Sequence, residues 1–288
     1  PPTPPPTLYS NHKTPNSILY IRYSKHDTRT KKHEKRNTKH ELRNDSHASI
    51  AVKAHIDKNV IVIDVLRATS TINTILFSGA KSVKPVESLD DCMKLRDKGY
   101  IIMAERMGKK VEGFDYGNSP TKIKRDLFEG KNVGIATSNG TKAIIKTKGS
   151  HITIIGSFLN LSKVIEYLNS NKRDILLVCS GWKGSTNLED TLCAGAIIAG
   201  LENFEYKSDT VIIAKKLYDQ SEDDILSNMK KSSHAKRLSG YDNIKDTDIL
   251  EDTFFNLKKN RAQLNISDIQ RFINKDSKIY KKLKITRK

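Results

Sequence analysis

From residue 59 onward the chain alternates short, unbroken apolar runs with segments of helical period, and this alternation limits the fold more than any other feature. The apolar runs fall at 60–66, 82–86, 100–104, 132–137, 151–156 and 174–180. Helical patterns occupy the intervals at about 70–79, 88–98, 121–129, 140–147 and 159–170, and another covers 188–201. Apolar runs without polar alternation suit strands covered on both faces, and parallel strands need helical crossovers. The pattern therefore predicts an α/β protein with three α/β/α layers around a parallel or mixed sheet, its active site at the strand carboxyl ends. Beyond residue 204 the rhythm loosens, with helical segments expected at 209–219 and 221–231.

Charge divides the chain into three parts. The formal net charge is +18, but residues 1–58 hold 12 basic and 5 acidic residues and 271–288 hold 8 basic and 1 acidic, which leaves +4 between them. The expected organisation is a basic, disordered or atypical extension over 1–58, an α/β domain over 59–270 and a basic tail over 271–288. Six of the eight histidines lie in the first block at spacings that follow no coordination template, and a composition this polar cannot bury a core. Positive charge confined to two ends, with no recognisable module, argues against specific nucleic-acid binding. No apolar run approaches the roughly 18–20 residues that span a bilayer, and the first block has no signal-type apolar segment. Cys92, Cys179 and Cys193 have no paired spacing and read as small buried hydrophobes in a reducing cytoplasm. No membrane partner is expected; a homo-oligomer stays open.

Four polar clusters interrupt the apolar rhythm, each after a strand. The first brings Asp64, Arg67, Thr69, Ser70 and Thr71 to the point where strand gives way to helix. A carboxylate, a guanidinium and three hydroxyls suit a metal and an anion. The second is a 16-residue loop from Glu105 to Pro120 that contains Arg106, Asp115 and Asn118; loops of this length in α/β domains are usually functional or disordered. In the third, Thr137-Ser138-Asn139-Gly140-Thr141, hydroxyl and amide groups precede a glycine that lets backbone N–H groups approach an anion. The same residues also serve as ordinary helix caps. The fourth runs from Ser180 to Glu189 and Asp190, acids that the helix macrodipole favours in any case and that a hard cation also uses.

Several phosphate chemistries are excluded by the letters. There is no G-x-x-x-x-G-K-[ST] string. A D-x-D-x-[TV] signature fails because Leu66 and Ala68 follow Asp64 at the second and fourth places. A cysteine-phosphatase loop fails because Ser185, Lys98 and Ala199 stand where arginine is needed.

Together the clusters resemble the 2-phosphosulfolactate phosphatase family. The matching strings are Val-Ile-Asp-Val-Leu-Arg-Ala-Thr-Ser-Thr-Ile at 62–72, Gly-Phe-Asp-Tyr-Gly-Asn-Ser-Pro at 113–120 and Thr-Ser-Asn-Gly-Thr at 137–141. Glu105-Arg106, Gly108, Leu188-Glu189-Asp190 and Ala194-Gly195 also fit, and the resemblance covers roughly residues 59–250. Two departures are the first 58 residues, which do not look like the family's strand-bearing start, and Ser138, where a second threonine is more usual. The resemblance implies a Mg²⁺-dependent phosphatase that converts 2-phospho-3-sulfolactate, a small anionic phosphorylated substrate, to 3-sulfolactate on the route to coenzyme M. On it, Asp64 with Glu189 or Asp190 is expected to hold Mg²⁺. Arg67 and Arg106 are expected to clamp anionic groups, while Asn118, Asn139 and Thr141 orient oxygens. Thr69, Ser70, Thr71, Ser138 and Gly140 are expected to line the substrate. Asp64 as a nucleophile that forms an aspartyl-phosphate is equally open. The rival readings are another small phosphorylated acid as substrate, and a non-catalytic binding protein with basic tails.

Overall fold

Every residue of the strand Asn59–Ile63 (β2) is buried, because helices cover both of its faces. The computed structural model describes residues 17–23, 55, 57–182, 184–206 and 208–239. Val60 and Val62 pack with Leu176 and Val178 of β8 (Ile175–Cys179) against Ala143 of α4 (Gly140–Lys146). Ile61 and Ile63 turn the other way, into the largest core, which takes in Leu192, Cys193 and Ile197 of α6 (Leu188–Ala199). The unbroken apolar run at 60–66 is the letter-level trace of this two-sided burial.

The expected α/β class holds, with its strands divided between two mixed sheets rather than placed in one. The five-stranded sheet has the order β7-β2-β8-β1-β9, in which β7 is Ile152–Gly156, β1 is Ser17–Tyr23 and β9 is Phe204–Glu205. Here β2 runs parallel to β7 and β8, whereas β1 runs antiparallel to β8 and β9. The four-stranded sheet has the order β3-β6-β4-β5, from Ser82–Pro85 (β3), Asn132–Ala136 (β6), Ile101–Arg106 (β4) and Lys109–Lys110 (β5). Its first three strands are parallel and β5 is an antiparallel edge. The helix α1 (Ala68–Phe77) joins the two sheets, since its Ile72, Ile75 and Leu76 share one core with Val133, Ile135 and Ile155. Period identifies β2, β3, β4, β6, β7 and β8 but does not say which strands pair.

Further helices follow as α2 (Leu89–Arg96), α3 (Arg125–Phe128), α5 (Leu161–Ser170), α7 (Asp209–Asp219), α8 (Ile225–Lys230) and α9 (Ser233–Ser239). Helices α6 and α7 approach so closely at Gly195 that a Cβ there would collide with the Ala214 carbonyl.

Local expectations are corrected at three places. The helix expected over 121–129 is split into a 3₁₀ turn at Pro120–Lys122 and the single turn of α3, because Ile123 and Lys124 are extended. The strand expected through residue 66 stops at Ile63, where the chain closes into a polar turn. Residues 17–23, expected within an atypical extension, form β1, with Leu19 and Ile21 buried at alternate positions. The remainder of 1–54, the boundary at 270 and the tail 271–288 lie outside the described residues.

Candidate active site

Asp64 leaves β2 and is captured at once by its own turn. The Asp64 N–H donates to Thr69 Oγ1 at 3.0 Å, and the Thr69 hydroxyl lies 2.8 Å from the Asp64 carbonyl and 2.7 Å from that of Gly156. The Ser70 hydroxyl donates to the Val65 carbonyl at 2.7 Å, and Ala68 N–H donates to Asp64 Oδ1 at 3.2 Å. The other carboxyl oxygen faces the start of α4: a Cβ on Gly140 would stand 2.5 Å from Asp64 Oδ2 and 2.5 Å from Ala68 Cβ. Only glycine lets the third cluster pack this tightly on the first. The third cluster closes on itself, since Thr141 Oγ1 accepts from Thr137 N–H and donates to the Thr137 carbonyl, both at 3.1 Å. Asn139 reaches the fourth cluster by donating to the Gly181 carbonyl at 3.2 Å.

The second cluster is anchored at the turn after β4. Gly108 N–H donates to the Glu105 carboxylate, Arg67 Nη2 to the Gly108 carbonyl at 2.9 Å and Arg106 Nη1 to the Glu105 carbonyl at 2.7 Å. Both arginines are thereby held against one turn. Asp115 ties the loop back by accepting from Ile102 N–H at 2.8 Å and from Arg96 Nη2 at 3.0 Å.

In the fourth cluster the adjacent acids have different tasks. Asp190 accepts from Val65 N–H at 2.8 Å and Gly181 N–H at 3.2 Å, which stitches the ends of β2 and β8 together. Glu189 accepts from Asn187 Nδ2 at 3.0 Å through Oε1, and His234 Nδ1 lies 3.0 Å from the same oxygen.

Asp64, Glu105, Glu189 and Asp190 are all buried. Burial lifts the Asp64 carboxyl from its ordinary value to about 6; the Glu105 and Glu189 charges add to the rise, whereas a protonated His234 would pull it down. Asp190 is pushed well above the usual carboxylate range by burial, then by Asp64 and Glu189. Several polar atoms in these clusters are buried without a hydrogen-bond partner: Thr71 Oγ1, Asn118 Oδ1, Ser180 Oγ and Glu189 Oε2. Native interiors rarely leave such atoms unmet unless a ligand, ion or water meets them. The clustered carboxylates Asp64, Glu189 and Asp190 can take up a cation, and the two guanidiniums held on the turn at 105–108 can take up an anion.

A family model described as 2-phosphosulpholactate phosphatase matches residues 45–260. The chain belongs to this family. The chain is similar to a probable 2-phosphosulfolactate phosphatase of Thermotoga petrophila, with 44% identity over 181 residues that cover 63% of this chain and 78% of that protein. A protein of the same name from Thermotoga maritima is 42% identical over 199 residues, covering 68% of this chain and 86% of its own length. Membership in this phosphatase family makes the chain a phosphoric monoester hydrolase.

Within this 2-phosphosulfolactate phosphatase family member, Gly140 packs on Asp64, Asn139 reaches Gly181, and Arg67 and Arg106 share the turn at 105–108. Asn118 is buried and Ser138 half-buried. Thr69, Ser70 and Thr141, expected to meet substrate, direct their hydroxyls into their own turns and shape the backbone there. Sequence reasoning missed Glu105 as part of the charge cluster, and missed Asn187 and His234 altogether. His234 lies on α9 in a segment of plain helical character, and no motif in the letters points to it. Among the described residues no three His, Cys, Asp or Glu side chains form a closed metal cage. Mg²⁺ needs no such cage, because it uses one or two carboxylates and takes its other oxygens from water and phosphate. Asp64 and the unmet Glu189 Oε2 fit that demand, whereas both Asp190 oxygens already accept backbone N–H groups.

Proposed function

We propose that this phosphatase hydrolyses the phosphate monoester of 2-phospho-3-sulfolactate to 3-sulfolactate and phosphate, with Mg²⁺ as cofactor, on the cytoplasmic route to coenzyme M. The observation that carries this reading is the set of buried carboxylates, Asp64, Glu189 and Asp190, close enough to act on one another's ionisation where β2 and β8 end. The names of the relatives supply the substrate. Asp64 and Glu189 would hold Mg²⁺, which neutralises charge on the phosphoryl oxygens. Asp190 holds the ends of β2 and β8 at the spacing the other two acids require.

The arginines suit a substrate with a phosphate, a carboxylate and a sulfonate. A guanidinium is a rigid, permanently charged fork that matches such oxyanions. Arg67 and Arg106 are each anchored through one nitrogen to the turn at 105–108, so binding an anion costs them little further ordering. Asn139, fixed on Gly181, and the buried Asn118 add orienting groups.

The test is phosphate release by the full chain from 2-phospho-3-sulfolactate, with Mg²⁺ and with EDTA, beside phosphoesters that lack the sulfonate. The expected result is Mg²⁺-dependent release that drops about a hundredfold or more without the sulfonate, because a charge-assisted contact between guanidinium and oxyanion is then lost. No release from folded protein overturns the reading. Equal release from sulfonate-free esters moves the substrate to another small phosphorylated acid. Release that persists in EDTA removes Mg²⁺ from it.

A further inference from the structure

The chemistry above leaves a row of side chains beyond Glu189 unused. His234, on α9, is 6% exposed. Its Nδ1 lies 3.0 Å from Glu189 Oε1, and its Nε2 lies 2.6 Å from Arg237 Nη2. Arg237 in turn places its guanidinium carbon 4.7 Å from the centroid of the Trp182 ring. Trp182 and the His234 imidazole stand 6.1 Å apart, centroid to centroid, at 30°. Trp182 comes from the loop after β8 and the other two from α9, so the row ties two separate segments to the first turn of α6.

The order of contacts decides where a proton sits. A guanidinium has five N–H donors and no acceptor, and it keeps its charge in proteins. His234 Nε2 therefore accepts from Arg237, and the neutral ring carries its proton on Nδ1, the nitrogen beside Glu189. Nδ1 lies off the line of an ideal hydrogen bond to Oε1, and catalytic hydrogen bonds commonly tighten only when substrate binds. Glu189 Oε1 is thus approached by two donor groups, Asn187 Nδ2 and His234 Nδ1–H, while Oε2 has none.

We propose that Trp182, Arg237 and His234 form a positioning relay in which Arg237 sets the His234 tautomer and His234, with Asn187, holds Glu189 so that Oε2 is presented to Mg²⁺. The inference rests on the part given to Glu189 under Proposed function. His234 is a positioning residue, since it acts through the carboxylate. Outer partners of metal-binding side chains typically matter by 10–100-fold in affinity or activity.

Two measurements on the full chain test the relay. Side-chain ¹⁵N spectra report which imidazole nitrogen carries the proton, with His234 assigned by its loss in His234→Asn. The expected signal places the proton on Nδ1. Calorimetric Mg²⁺ titration reads the consequence, and Trp182 fluorescence gives a second readout because it is the only tryptophan in the chain. His234→Ala should weaken Mg²⁺ about tenfold or more and lower kcat, with little change in KM for the phosphoester. His234→Asn, whose amide nitrogen can stand near the Nδ1 position, should recover most of the loss, whereas His234→Gln should not. If His234→Ala does not fold, Arg237→Met carries the test, with a weaker effect in the same direction. A proton on Nε2 overturns the relay, as does equal Mg²⁺ affinity in the wild type, His234→Ala and Arg237→Met. If the wild type neither takes up Mg²⁺ nor releases phosphate, the proposed function fails and takes Glu189's task with it. The tautomer is read independently of both.

Discussion

At Asp64, burial and function pull against each other. The carboxyl is taken out of water beside other acids and is lifted to about 6, yet a ligand for Mg²⁺ must be ionised. Asp64→Asn keeps the shape and the Ala68 contact but removes the charge. We expect kcat to fall about a hundredfold or more, since several kcal/mol of charge stabilisation are lost and each 1.4 kcal/mol is tenfold. Near-normal turnover in a steady-state assay would contradict both roles considered for Asp64, ligand and nucleophile. Gly140 is the companion residue. Gly140→Ala should destabilise the protein by about 1–3 kcal/mol, as overpacking does, and should lower activity by displacing the Asp64 carboxyl. Denaturant melts and a phosphatase assay check the two effects, and an unchanged midpoint would mean the contact relaxes freely.

The scale of elements is where β1 matters. Without it, β8 would present an unpaired edge, and Leu19 and Ile21 would leave the main core. A chain that begins near residue 59 should therefore melt lower than the full chain and aggregate more readily, because open apolar edges recruit other strands. Ile21→Ala in the full chain isolates the packing part and should cost about 2–5 kcal/mol. Equal thermal midpoints for the full and shortened chains would show that β1 contributes nothing. The site should survive the Ile21 change in kind, because no residue of the four polar clusters lies on β1.

For the whole molecule, the buried acids set how stability follows pH. Asp64 has a folded value of about 6 against an ordinary 3.8, so the folded protein holds that proton more tightly than the unfolded chain does. The Asp64 contribution should be fully present below about pH 4 and be lost as pH rises through about 6, and Asp190 adds a loss of its own as pH rises through its raised value. The loss is about 3 kcal/mol from Asp64 at 1.36 kcal/mol per unit, and Asp190 acts in the same direction. Mg²⁺ should reduce the loss by binding the ionised form. Urea titrations from pH 4 to 8, in EDTA and in Mg²⁺, check the sign, and rising stability over that range in EDTA would contradict it. Strand and helix periods, the helix starts and the polar residues after each strand are local properties, so they were legible at Asp64, Arg67 and Thr137–Thr141 without coordinates. β1 was not, because two buried residues in a polar, basic stretch make too weak a period. Nor could the letters divide the strands into two sheets, since pairing depends on long-range packing that period does not encode. Sequence alone determined the α/β class, the four clusters and the family resemblance. Only the tertiary structure decided that Thr69, Ser70 and Thr141 serve their turns, that Asp190 stitches strands while Glu189 keeps an unmet oxygen, and that His234 reaches Glu189 from a distant helix. Those outcomes rest on distances between residues far apart in the chain, which burial and hydrogen-bond satisfaction settle only once the sheets and helices have closed on one another.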